Sequence, residues 1–169
     1  MTNDVVIFNR RKNIEEIREK IRLMITKSKI IVPLLSSIEV SHHYGIDKFY
    51  KFGLSMITIF NKNYCKKLLF MMNKQIHPKQ YHKEKDETFF VLYGAIKLKT
   101  WNKNKKIEKI LRAGDLFTIK PNHIHWFQGI SISGAIIEEL STESKKADSF
   151  YLDDKITKNK NRKSFISLN

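Results

Sequence analysis

The spacing of apolar residues changes once along this chain, and the change divides it. Ile14, Ile17, Ile21, Met24 and Ile25 recur three and four residues apart, which predicts an amphipathic helix. Asn13, followed three residues later by Glu16, has the form of an N-cap with its capping-box partner, so the helix is expected over 13–27. Before it, the apolar run 5–8 is expected to be a first strand or an ordered arm. From Gly53 onward the period shortens to two. The runs 54–60, 64–72, 88–93, 94–101, 106–112 and 135–140 predict strands. The clearest alternation sets Ile96 and Leu98 against Lys97 and Lys99. A polar stretch follows at 102–105, and together these predict a β-hairpin. The last residues, from Lys155 on, are basic and Asn-rich and are expected to be mobile, with Phe165 and Ile166 able to dock. The chain therefore divides into an N-terminal helical or extended segment (1–52), a β-barrel (53–141) and a polar, basic tail (142–169).

The chemistry-bearing residues concentrate in two stretches. In Gln80-Tyr-His82-Lys-Glu-Lys-Asp-Glu87, the side chains of Gln80 and His82 share one face of an extended chain. An apolar, aromatic run then leads to Gly94. If the chain doubles back after His82, Glu87 can lie beside the imidazole. An imidazole and a carboxylate meeting inside a β framework are typical ligands for a divalent transition metal. The second stretch contains Gly114-Asp115, Pro121, His123 and His125. His123 and His125 share a face, so either could join the first group. His77 has the wrong parity for the face of Gln80 and reads as a loop histidine, unless a turn at Pro78 brings it in. His42 and His43 diverge as neighbours and read as ordinary hydrogen-bonded residues. Cys65 reads as a packed thiol. Glu138 and Glu139 point to opposite faces of their strand; one of them, or Lys97, could act as an acid or base.

Together the two stretches resemble the paired motifs of the cupin superfamily. His82, Glu87 and Gly94 match the spacing of the first motif, with Gln80 where its leading histidine is expected. Gly114, Pro121 and His125 match the second. The resemblance implies an all-β double-stranded β-helix, a jelly-roll barrel carrying an N-terminal α-helix. It also implies metal ligation by His82, Glu87 and His125, with Gln80 as a possible fourth ligand. The longer pattern over about 30–156 resembles the cupin domain of N-acetylneuraminate (sialic acid) synthase-like proteins, which is D-lyxose ketol-isomerase-like. It runs through Ser41-His-His-Tyr-Gly, Tyr64-Cys-Lys-Lys-Leu, Glu87-Thr-Phe and Glu138-Glu-Leu-Ser-Thr. It implies a divalent metal (Mn, Fe, Ni or Zn) and a setting in nonulosonate or surface-glycan biosynthesis. Members of that group carry histidine where this chain has Gln80 and Glu143.

Composition narrows the partners. The 169 residues hold 32 Lys plus Arg against 17 Asp plus Glu, a formal charge of +15. The lysines are dispersed and no nucleic-acid motif accompanies them, so the expected partner is a small sugar or sugar acid and not nucleic acid. No apolar run approaches the ~20 residues of a membrane span. With a single cysteine and no charged-then-apolar start, a cytoplasmic protein is expected. Three functions fit these features. The first is a metal-dependent sugar isomerase, the second a non-catalytic module binding a sugar or sugar acid, and the third an iron-dependent dioxygenase. A homodimer is expected, as barrels of this kind commonly pair.

Overall fold

The computed structural model describes residues 3–33, 35–103, 105–145 and 147–168, with residues 3–10 as backbone only. Helix α1 (Asn3–Ser28) precedes the strands β1 (Ser37–His42), β2 (Gly53–Asn61), β3 (Tyr64–Met71), β4 (Ile76–Tyr81), β5 (Glu87–Tyr93) and β6 (Ala95–Asn102). After these come β7 (Lys105–Arg112), β8 (Leu116–Ile119), β9 (Ile124–Gly129), β10 (Ala135–Thr142) and β11 (Phe150–Tyr151). A short helix α2 (Asp154–Lys158) and β12 (Lys163–Ser167) complete the chain. Two antiparallel sheets result, ordered β12-β1-β2-β3-β10-β5-β8 and β11-β4-β9-β6-β7. This is the expected all-β jelly roll with an N-terminal helix.

Two apolar layers flank the seven-stranded sheet. Between the sheets, Leu69, Met71, Phe89, Val91, Leu98 and Phe127 form the barrel core. On the outer side, Ile17, Ile21 and Met24 of α1 pack on residues such as Ile38, Ile57, Phe70 and Ile136. The helical spacing of Ile17, Ile21 and Met24 therefore marks a stripe that covers one sheet face. Gly94 joins β5 to β6 at φ +72°, and a Cβ there would lie 2.1 Å from the carbonyl oxygen of Gly134. Only glycine allows this close crossing of backbones.

The structure departs from the sequence expectations at both ends. The helix begins at Asn3, not at Asn13, and takes in the apolar run expected as a strand or arm. Adding one residue to an existing helix gains a hydrogen bond without a new nucleus, so propagation overrides an internal capping pattern. The strands also extend beyond 53–141. β1 pairs with β12, matching Ser37 with Ser167 and Ser41 with Lys163, so part of the basic tail is sheet. The alternation Phe165 exposed, Ile166 half-buried fits a strand at a sheet edge.

Candidate metal centre and active-site cavity

Three strands of the two sheets bring the site together. On β4 and β9, Gln80 lies directly opposite His125. His82 follows β4, and Glu87 opens β5 on the facing sheet. The oxygen Oε1 of Glu87 lies 3.1 Å from His125 Nε2 and 3.8 Å from His82 Nε2. One donor atom from each of the three residues falls within 4.8 Å of the others, and all three side chains are buried.

Hydrogen bonds on the far side of each ring set its tautomer. His82 Nδ1 bonds the carbonyl of Asp148, and His125 Nδ1 the carbonyl of His123 at 3.2 Å. A carbonyl only accepts, so each Nδ1 carries the proton and each Nε2 presents a lone pair toward Glu87. Burial lowers the pKa of both histidines, more than the Glu87 charge raises it, and keeps them in the neutral form that ligates a metal. Burial alone would raise Glu87. Neighbouring groups, the Lys85 ammonium first among them, together reverse this and hold the carboxyl below its ordinary range, as an anion. Three lone-pair atoms thus converge in a buried place, and Glu87 Oε1 has no hydrogen-bond donor. A buried acceptor without a donor is costly, and a cation resolves it. These residues therefore fit a divalent ion.

Gln80 completes the ring. Its amide nitrogen lies 3.5 Å from His82 Nε2 and 3.2 Å from His125 Nε2, so it donates toward both lone pairs. Turning the amide over exchanges its nitrogen for its oxygen and offers a fourth ligand. Of the two histidines left open at the second stretch, His125 contributes its ring. His123 contributes its backbone carbonyl.

A cavity of about 460 Å³ opens beside this cluster. Lys85 and Glu139, both buried, line it. The Lys85 ammonium bridges two carboxylates, 2.5 Å from Glu87 Oε2 and 2.9 Å from Glu139 Oε1. Lys67, opposite Glu139 across the β3–β10 pair, adds a contact of 3.2 Å to the same Oε1. Burial would raise Glu139, but the two ammonium groups reverse this and hold it well below the usual carboxylate range. Of the three acid–base candidates, only Glu139 reaches this cavity. Glu138 faces the other side of its strand and pairs with Lys66, while Lys97 pairs with Glu108 across the β6–β7 hairpin.

Four further residues belong to the site that sequence reasoning did not place there. Lys85 shares parity with Glu87 two residues on, a signal that could have found it. Asp148 accepts backbone hydrogen bonds from Lys83, Glu84 and Lys85 through its carboxylate while its carbonyl orients His82. It is 66 residues from His82, and no local pattern marks it. Tyr151 comes from the region read as a tail. His77 is no loop histidine: it is buried in β4, stacks on Phe127 at 4.7 Å and lines the cavity. A register shift between His77 and Gln80 supplies the parity change that brings both to one side.

Comparison with known proteins agrees with this geometry. Residues 69–163 match the family model described as Cupin. The chain is 33% identical to the D-lyxose ketol-isomerase of Thermofilum sp. (strain ex4484_79), over 78% of this chain and 86% of that one. It is 28% identical to the D-lyxose/D-mannose isomerase of Thermosediminibacter oceani, over 87% and 94%. Among solved structures, the L-ribose isomerase of Acinetobacter sp. DL28 in complex with L-ribose superposes with a TM-score of 0.69 at 13% identity. It covers 88% of this chain and 94% of that one. With paired motifs that each cross between the two sheets and a family match across both of them, the chain belongs to the cupin family.

Proposed function

We propose that this protein is a metal-dependent aldose–ketose isomerase. The observation that carries the reading is the convergence of three buried ligand atoms, one of them the donorless Oε1 of Glu87, beside a buried, lysine-held carboxylate in one cavity. His82, Glu87 and His125 would hold the ion, with Gln80 as a fourth ligand; Mn, Fe, Ni and Zn all suit this donor set. When bound, the ion supplies polarisation of the adjacent carbonyl and hydroxyl oxygens of the sugar, which acidifies the C–H between them.

The chain's own groups do the rest. Both lysines bond Oε1 of Glu139, so Oε2 is the atom left to take a proton from one sugar carbon and return it to its neighbour, while the hydroxyl proton of the sugar passes to the oxygen that began as its carbonyl. Lys85 fixes that carboxylate against Glu87 and keeps two buried anions compatible. The apolar wall of Leu54, Leu69, Phe89 and Phe127 excludes water from the reacting end of the cavity. The kinship to D-lyxose and D-mannose isomerases supports a small monosaccharide as substrate. The resemblance to sialic acid synthase-associated cupins supports a place in nonulosonate or surface-glycan biosynthesis. A cytoplasmic homodimer is part of the same proposal.

A second reading has one observation in its favour. The Gln80 amide satisfies both imidazoles without any ion, which suits a non-catalytic sugar-binding module. An iron-dependent dioxygenase would also use two histidines and a carboxylate, and oxygen consumption tests it directly. The deciding experiment joins elemental analysis to turnover of D-lyxose, D-mannose and L-ribose. Stoichiometric metal lost in His82→Ala and Glu87→Ala, with isomerisation that Glu139→Gln reduces by about 10²–10⁴-fold at unchanged metal content, supports the isomerase. A metal-free protein that binds sugars and turns none over leaves the binding module.

A further inference from the structure

The reacting groups occupy one part of the cavity, and the opposite wall, built by β1, β11 and β12, has a different character. Five cationic side chains line the cavity as a whole, against the three carboxylates Glu39, Glu87 and Glu139. Four of the five are answered. Lys67 and Lys85 hold Glu139 and Glu87, Lys163 pairs with Glu39 at 2.7 Å, and Lys145 with Glu84 at 2.5 Å. The fifth is Arg162. Among the described residues no carboxylate pairs with its guanidinium, which lies 5.1 Å from the centre of the Tyr151 ring. The charge of Glu39 is answered by Lys163 at Oε1, which also accepts from the Ser41 hydroxyl.

The position of Arg162 relative to the metal ligands follows from strand register. Tyr151 on β11 lies directly opposite Gln80 on β4, so the two side chains stand together on one face. Arg162 rests on that tyrosine and lines the same cavity. It therefore stands in the same cavity as Gln80 and the metal ligands, with Tyr151 between it and Gln80. A guanidinium offers paired donors in a rigid fork that matches phosphate and carboxylate oxygens, and a half-buried one binds them more strongly than a free surface cation does.

We propose that the cavity takes an anionic monosaccharide, one bearing a phosphate or carboxylate at the end opposite its carbonyl, and that Arg162 binds that group. The orientation rests on the isomerase reading, with the carbonyl end at the metal ligands; the anionic preference rests on the unpaired charge alone. The formal charge of +15 adds long-range attraction for such a substrate.

The test is calorimetric titration of the manganese-loaded protein with D-mannose, D-mannose 6-phosphate and D-mannuronate. Wild type is compared with Arg162→Gln and with Lys105→Gln, an exposed lysine outside the cavity. The wild type is expected to bind at least one of the two anionic sugars at least about tenfold more tightly than D-mannose. Arg162→Gln removes that difference and leaves D-mannose affinity and metal content unchanged, while Lys105→Gln changes nothing. Whichever of the phosphate and the carboxylate binds better identifies the anionic group. Equal affinity for all three sugars overturns the proposal, as does an Arg162→Gln loss that falls on D-mannose too, or a matching loss in Lys105→Gln. Turnover of D-mannose without anionic preference removes this subsite and leaves the isomerase. Anionic preference without turnover of any sugar removes the isomerase and leaves the subsite.

Discussion

Replacing Lys85 with methionine tests whether one ammonium holds this cavity together. Methionine retains most of the aliphatic volume, so the perturbation is the loss of charge. In the wild type the Lys85 ammonium lies 2.5 Å from Glu87 and 2.9 Å from Glu139, with the residue only 5% exposed. Burial would lower the Lys85 pKa, and the two carboxylates more than reverse this, so the group is cationic at every working pH. Removing one partner of a buried ion pair typically costs 3–5 kcal/mol, and the remaining contact of Lys67 to Glu139 places this case at about 3 kcal/mol. For a chain of this size that corresponds to a fall in Tm of roughly 6–12 °C. The assay is thermal unfolding of the metal-free protein at neutral pH, repeated toward acid. The pKa of Glu139 is lowered on folding, so the stability it carries is fully present above its ordinary value of 4.5 and is lost as pH falls through the folded value. With one ammonium gone that depression is smaller, so the gap between wild type and Lys85→Met narrows as pH drops below 4.5. A Tm change under about 2 °C, or a gap independent of pH, would refute the reasoning. Metal restores part of the deficit, because an ion held by His82, Glu87 and His125 answers the Glu87 charge that the missing ammonium leaves unpaired.

Further outcomes follow from the geometry. Asp148→Asn loosens the turn at Lys83 to Lys85 and the carbonyl that orients His82; metal affinity, read by competition with a chelator, falls about 10–100-fold. Gln80→His replaces an amide with an imidazole facing the other two ring nitrogens and raises metal affinity by at least about tenfold in the same competition. Gly94→Ala places a Cβ 2.1 Å from the Gly134 carbonyl oxygen at a φ of +72°, and chemical denaturation shows a loss of at least ~2 kcal/mol.

What could be read from the sequence was local. Gln80, His82 and Glu87 fall within eight residues, and their parity on extended chain, with a reversal between them, was enough to place them in one cluster. The β6–β7 hairpin was legible for the same reason, since its pairs are near neighbours, Trp101 with Lys106 and Asn102 with Lys105. What stayed hidden was set by pairings between distant residues. β12 has the composition of a solvated tail and becomes a strand because β1, more than a hundred residues earlier, offers it an edge. Asp148 and Tyr151 acquire their roles only when β11 pairs with β4. For His77 alternation favoured a loop residue and left a turn at Pro78 as the alternative; a register shift between His77 and Gln80 is what brings it in.

The charge pattern inside the cavity explains why these hidden residues are needed. Glu139 lies opposite Phe89 and Ser141 opposite Glu87 in the β10–β5 pair, so the two glutamates are diagonal neighbours on one buried face. Two carboxylates so placed repel one another and lose their hydration, and each needs a cation. Lys67 reaches only Glu139. His82 and His125 are neutral and cannot serve. Among the described residues Lys85 alone spans both carboxylates, bonding Oε2 of Glu87 and Oε1 of Glu139. That leaves Oε1 of Glu87 facing the imidazoles without a donor and Oε2 of Glu139 free of either lysine. One lysine thus divides the work between the two glutamates. It neutralises the half of each that would repel the other, and it exposes on one the atom suited to a metal and on the other the atom suited to a proton.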